Sequence, residues 1–226
     1  NQTEILMAAF IALIIWGVVL AEADMDLHEL AEHTNIRPYQ DPSRFIWNNT
    51  DAYLLRVSVL TDTGNRIPQT PCVRSRYWSN TTKKVERSLD VYNKTNSSDF
   101  RSINISLTVG HEEGQRILRV ETKKKKMTIM NESGWNIGTS NSTDAEKFLV
   151  LFSDANCLIL AEKLESPNVR RRWLRCSMWL PEHRITKPPK CCQFIFALLC
   201  AYMDDVVEVF DKSCLPKPSK SPKSSS

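Results

Sequence analysis

With 226 residues, 42% of them hydrophobic, and a net charge of +4, the chain is long enough for one domain with a sizeable core or a barrel enclosing a cavity. Its 30 basic and 26 acidic residues are mixed along the chain and build no strongly basic face, which argues against nucleic acid as a partner. Its 7 cysteines fit an oxidising compartment, where they form a disulfide framework with one thiol left over.

Residues 5–20 are apolar and uncharged, and Ala21, Glu22 and Ala23 follow as a small-x-small triplet. A signal peptide over residues 1–23, cleaved after Ala23, is therefore expected, and with it a secreted, extracellular protein. Asn1, Gln2, Thr3 and Glu4 stand where a basic segment is usual, so the leader reads as clipped at its start. A transmembrane helix is the rival reading, but the stretch falls short of the ~20 apolar residues that span a bilayer. The mature domain is placed at residues 24–216, and the low-complexity KPSKSPKSSS of residues 217–226 is expected to be a disordered tail.

After an acidic, mildly amphipathic stretch over residues 24–33, residues 38–47 predict a short helix with Asp41 and Pro42 in its first turn. The pattern then changes to short β-type runs. In AYLLRVSVL, residues 52–60, Tyr53, Leu55, Val57 and Val59 share one face and Arg56 and Ser58 the other. Further strands are expected at residues 72–78, 85–92, 100–109, 117–122, 147–152, 157–162 and 172–180, separated by turn-forming clusters such as TDTGN, GHEEG and NESG. Eight such strands suggest an antiparallel meander closing into a barrel just wide enough for one small ligand, with a β-sandwich as the alternative. Sequons at Asn48, Asn80, Asn93, Asn96, Asn104, Asn131 and Asn141 mark candidate glycosylation sites and agree with secretion.

Catalytic signatures are missing. There is no Gly-rich phosphate loop, no G-x-S-x-G elbow and no H-E-x-x-H, and the 4 histidines are scattered. Cys191 and Cys192 are adjacent, not at a metal-ligand spacing. No enzymatic activity, metal or cofactor is expected. The apolar run over residues 191–201 is too short to cross a bilayer and reads as a buried or tethered helix, so no membrane span is expected in the mature chain. At 100° per residue, Cys192 and Cys200 lie roughly 80° apart while Cys191 points away from Cys200.

Seven motifs follow one another at set spacing: Tyr39-Gln40-Asp41, Asp51-Ala52-Tyr53-Leu54-Leu55, Pro71-Cys72-Val73, Asn156-Cys157-Leu158-Ile159-Leu160, Cys176-Ser177-Met178-Trp179, Pro188-Pro189-x-Cys-Cys and Val209-Phe210-Asp211-x-x-Cys214. In their order and spacing they resemble the tick salivary lipocalins of the histamine-binding-protein family. The resemblance implies a mainly β fold: an eight-stranded antiparallel lipocalin-like barrel with a short N-terminal helix and a C-terminal helix packed on the barrel wall. It also implies disulfides from Cys72 to Cys214 and from Cys157 to the start of the C-terminal helix. The helical sorting then favours Cys192 for Cys157 and leaves Cys200 for Cys176. Cys191 becomes the odd thiol, and a monomer is expected unless Cys191 cross-links two chains.

The resemblance implies a small-molecule partner: a host mediator such as histamine or serotonin, sequestered to evade host defence. Two of the family's amine-binding carboxylates would fall on Leu158 and Ser177, where this chain has none. Glu86 and Asp90 are alternative acids on one parity of the third strand, though a solvated outer face also suits them. The expected cavity lining is Tyr53, Leu55, Val57, Val59, Tyr77, Leu158, Leu160, Trp173 and Trp179, with one or both faces of the stretch from Phe148 to Phe152, and Ser177 and Arg175 share the inward parity. Two readings of Arg175 stand. It anchors the carboxylate of an acidic lipid such as a leukotriene, or it points to solvent beside Arg170, Arg171 and Arg172. A third reading has the loops binding a host immune protein.

Overall fold

Runs rich in Val, Ile, Leu and aromatic residues, cut by short polar turns, fold as strands because branched side chains pack well on a pleated surface. The computed structural model describes residues 37–59, 70–93, 100–112, 114–122, 126–128, 138–140, 145–164, 173–200 and 205–216. The expected signal peptide, the acidic segment after it and the low-complexity tail lie outside them.

The barrel strands are β1 (Ala52–Val59), β2 (Cys72–Asn80), β3 (Val85–Tyr92), β4 (Arg101–Glu112) and β5 (Gln115–Thr122), then β8 (Glu146–Ser153), β9 (Leu158–Leu164) and β10 (Trp173–Pro181). Each pairs antiparallel with the next, and β10 pairs back onto β1, which closes the ring of eight. Between β5 and β8 sit β6 (Lys126–Thr128) and β7 (Gly138–Ser140), a separate two-stranded hairpin, and a last strand, β11 (Asp205–Glu208), follows the barrel. Sequence alone foresees none of these last three. β4 runs on into the GHEEG cluster: Glu112 still pairs with Gln115, and Gly114 at φ 81° supplies a left-handed conformation just before β5.

Two short helices, α1 (Ser43–Ile46) and α2 (Glu182–Ile185), flank one end of the barrel, and α3 (Lys190–Cys200) runs along the wall. Asp41 starts α1 by accepting hydrogen bonds from the Ser43 amide at 3.0 Å and the Ser43 hydroxyl at 2.6 Å. Phe45 and Ile46 then turn inward as the floor of the barrel. The opposite end, where β1–β2, β3–β4, β5–β8 and β9–β10 connect, is the mouth.

The outer wall is buried in two places. Under α3, Cys192, Phe196, Leu199 and Cys200 face the barrel, and disulfides join Cys192 to Cys157 and Cys200 to Cys176. Cys191 faces out as an exposed free thiol. Over β1, the C-terminal segment is held by the Cys72–Cys214 disulfide, which closes 142 residues of chain. Each bond adds on the order of 2–4 kcal/mol, most for the longest loop in the entropic account. β11 pairs with Arg56–Val59, the part of β1 that β2 leaves free, since β2 pairs only with Ala52 and Tyr53.

That cover explains the first departure from the sequence pattern. The β1–β10 register slips between Leu54 and Arg56, a bulge that inserts Leu55 and reverses the alternation. Ala52, Leu54 and Val57 face the cavity. Tyr53 and Leu55, expected inside, face outward. Both are buried there: the Tyr53 ring meets Phe210 edge-on at 5.7 Å, and the Leu55 carbonyl accepts from the amides of Val209 at 2.8 Å and Phe210 at 3.3 Å.

Candidate ligand cavity

The inward faces of the eight strands enclose a cavity of about 160 Å³. That is close to the ~150 Å³ apolar cavity which, in an engineered protein, accepts one benzene. Leu89, Ile105, Leu107, Leu118, Phe148 and Leu160 make its walls, and Trp179 and Leu158 stand with Phe45 and Ile46 near the floor. Four charged side chains also line it, two arginines and two glutamates, and they are sorted by depth.

Arg87 sits at the floor, 3% exposed. Its five N–H groups are all committed: Nε to Ser75 Oγ at 3.0 Å, Nη1 to the carbonyls of Ile46 at 3.1 Å and Asn48 at 3.0 Å, and Nη2 to those of Thr50 at 2.6 Å and Ser75 at 3.1 Å. One guanidinium thus gathers the turn after α1 onto β2. Burial pushes it down to about 10, partly offset by the Asp51 carboxylate, so it stays cationic at neutral pH.

At the mouth stand Glu146, Glu162 and Arg175 on three consecutive strands, β8, β9 and β10. Arg175 and Glu162 are direct cross-strand partners, and Nε and Nη2 of Arg175 both donate to Glu162 Oε2, the former at 3.1 Å. The β8–β9 register of Leu149 with Ala161 and Val150 with Leu160 sets Phe148 opposite Glu162, with Glu146 one inward position further toward the mouth. Deeper in, Trp179 Nε1 donates to Ser177 Oγ at 3.1 Å.

Of the residues expected inside, Val57, Phe148, Leu158, Leu160, Arg175, Ser177 and Trp179 line the cavity, whereas Phe152 stacks on Tyr39 and is not part of the lining. Tyr53 and Leu55 do not line it, because of the bulge. Tyr77 keeps the inward parity but packs on Arg87, whose guanidinium carbon lies 5.7 Å from the ring centroid, and is not part of the lining. The side chains of Val59 and Trp173 fall outside the described atoms. Arg175 points inward, not to solvent, and it is already engaged by a carboxylate.

Glu86 and Asp90, the alternative acids, both face outward. Glu86 accepts from Ser106 Oγ at 2.7 Å and pairs with Lys84 at 2.6 Å. Asp90 is fully buried beneath Arg74 and Arg76, at 3.0 and 2.5 Å, with Ser102 Oγ at 2.7 Å. Burial pushes its carboxyl up, but the bonds from Arg76, Ser102 and Arg74 outweigh that and hold it below the usual range. The carboxylates inside the cavity are instead Glu146 and Glu162, and their signal was parity: Glu162 follows Leu158 and Leu160 by steps of two, and Glu146 precedes Phe148 by the same step.

Among the described sequons, Asn80, Asn93 and Asn104 are exposed and Asn48 is half-buried. Asn96, Asn131 and Asn141 lie outside the described residues. No cluster of three metal-ligating side chains occurs among the described residues, and none of the helices described is long and apolar enough to cross a membrane.

A closed eight-stranded antiparallel barrel, floored by a short helix and braced outside by a second, with an apolar cavity and a few polar groups, is a lipocalin-type binding barrel. The family model of the tick histamine-binding proteins matches residues 30–216, and the chain belongs to that family. Solved structures similar to it include japanin from Rhipicephalus appendiculatus bound to cholesterol, with 23% identity over 75% of this chain and 97% of that one and a TM-score of 0.48. The AM182 serotonin complex has 17% identity over 75% and 88%, with a TM-score of 0.44. Insecticyanin from the tobacco hornworm Manduca sexta has 10% identity over 76% and 82%, with a TM-score of 0.44. No curated protein matches the chain.

Proposed function

We propose that this chain is a secreted barrel, without catalytic activity, that sequesters a small organic amine of the host, such as histamine or serotonin, and so blunts host defence. The observation that carries the reading is the placement of Glu146 and Glu162 at the mouth of a largely apolar cavity. A carboxylate offsets the cost of taking an ammonium out of water, while apolar walls and the rings of Phe148 and Trp179 hold the rest of the ligand. These two acids stand in for the pair that the family resemblance would have put at Leu158 and Ser177. The cavity volume also suits a ligand of one or two rings.

An acidic lipid fits less well. Its carboxylate needs an available guanidinium, yet Arg87 has no N–H left to give and Arg175 already serves Glu162. A protein-binding role for the loops concerns residues mostly outside those described.

Calorimetric titration of the refolded, disulfide-intact chain with histamine, serotonin, leukotriene B4 and arachidonate tests the reading. At least one amine is expected to bind below about 10 μM, roughly −7 kcal/mol. Binding of the two acids alone, or of none of the four, refutes it.

A further inference from the structure

From the bonding of Ser177 we infer that its hydroxyl selects the inner end of the ligand by donating to a neutral hydrogen-bond acceptor, so that the barrel prefers an aromatic amine with such an acceptor on its ring over one with a plain hydrocarbon ring. The inference rests on the amine reading above and names the class of amine.

Ser177 lines the cavity from the middle of β10. An indole N–H can only donate, so the 3.1 Å bond from Trp179 Nε1 makes Ser177 Oγ the acceptor and turns the hydroxyl proton elsewhere. The cross-strand partners of Ser177, Val57 on β1 and Leu160 on β9, are apolar and cannot take that proton. Arg175 and Trp179, on either side of it along the inward face of β10, are donors only. Among the described residues, the bond from Trp179 is the one hydrogen bond that Ser177 makes. The proton is thus left for whatever fills the cavity, and donation from the indole polarises the hydroxyl and strengthens the bond it makes in turn.

Two other hydroxyls in the lining are placed differently. Ser75 lies at the floor, where it accepts from Arg87 Nε, and Thr122 ends β5 at the mouth. Ser177 stands between them. The register sets Glu162 opposite Arg175 and Leu160 opposite Ser177, so Ser177 lies one inward step, about 7 Å along the strand, deeper than Glu162. An arylethylamine with its ammonium toward Glu162 has its ring at that depth. A ligand that fills the cavity and offers no acceptor strands the Ser177 proton among apolar walls, whereas one with an acceptor continues the chain from Trp179 through Ser177. A neutral acceptor suits the site, since a hydroxyl carries no charge with which to balance an ion taken out of water. A pocket built to bond a polar atom rejects the analogue that lacks it more strongly than an apolar pocket rejects a missing methylene.

The test compares 2-phenylethylamine with its three pyridyl isomers, in which an uncharged ring nitrogen replaces one CH with almost no change of size. Calorimetry at pH 8 on the refolded, disulfide-intact wild type, Ser177→Ala and Ser177→Thr reads the ratios. Wild type is expected to bind at least one pyridyl isomer tenfold or more tighter than the phenyl amine. Ser177→Ala should abolish that preference, and Ser177→Thr, which restores a hydroxyl, should restore most of it. Equal affinity of wild type for the phenyl amine and every isomer, or a preference that survives in Ser177→Ala, overturns the role of Ser177 and leaves the amine reading standing. Absence of binding by all four overturns the inference, and the histamine and serotonin titrations above decide whether the amine reading falls with it. If Ser177→Ala does not fold, the wild-type and Ser177→Thr ratios decide the matter, because a wild type without the preference refutes the inference directly.

Discussion

The two ends of the cavity each hold an arginine, and the chemistry around them differs. At the floor, Arg87 is enclosed by carbonyls of Ile46, Asn48, Thr50 and Ser75, rigid acceptors that carry no net charge. At the mouth, Arg175 faces a carboxylate on a partly exposed side chain. A buried cation surrounded by main-chain dipoles is committed to architecture, since removing it strands several acceptors at once. A cation paired with a carboxylate on a partly exposed side chain is tied less tightly to the fold, since both groups stay within reach of water.

The contrast can be broken from either side. Arg87→Met should destabilise the fold by on the order of 3–5 kcal/mol, because the stranded carbonyls cost more than relief of the buried charge returns. Urea midpoints with unchanged slope measure it, and a loss below about 1 kcal/mol erases the distinction between the ends. Glu162→Gln should leave stability within about 1 kcal/mol of wild type but weaken the best amine by 10–100-fold, about 1.4–2.7 kcal/mol. A large fall in stability with unaltered affinity makes the mouth structural too.

A smaller effect concerns the outer wall. The Tyr92 hydroxyl donates to the Cys214 carbonyl at 2.5 Å, and burial, with neighbouring Tyr53 and Asp90 opposed by Arg74, pushes it up to about 12. The folded value exceeds the unfolded one of about 10, so its contribution is complete below pH 10 and is lost as pH rises toward 12. Tyr92→Phe should therefore be less stable than wild type at pH 8, with the gap narrowing between pH 10 and 12. A gap that stays constant over that range removes the linkage.

How much of this was legible can be read from β1 and β9. On β9, Leu158, Leu160 and Glu162 obey a simple alternation, so the inward carboxylate was within reach of the sequence. Charged residues near strand ends are usually solvated, which masks such a position. On β1 the doublet Leu54-Leu55 was the one sign of trouble. A strand covered on both faces shows no clean alternation, and nothing local reveals that the second cover comes from β11 and the residues after it, far along the chain. The cysteine pairings emerged from family resemblance and helical spacing together, and the three bonds found are Cys72–Cys214, Cys157–Cys192 and Cys176–Cys200. Arg87 had no signal, because VERSLDVY puts charges on both faces of β3.

The docking of β11 on Arg56–Val59 also sets an order of events in the cell. The upper half of β1 waits for a partner made among the final residues of the domain, so the wall is completed only when nearly all of it has left the ribosome. Until then those backbone groups form an open edge, able to recruit the strand of another chain. The Cys72–Cys214 disulfide ties the segment that follows β11 to the start of β2, and so holds the late-made strand beside the edge it covers.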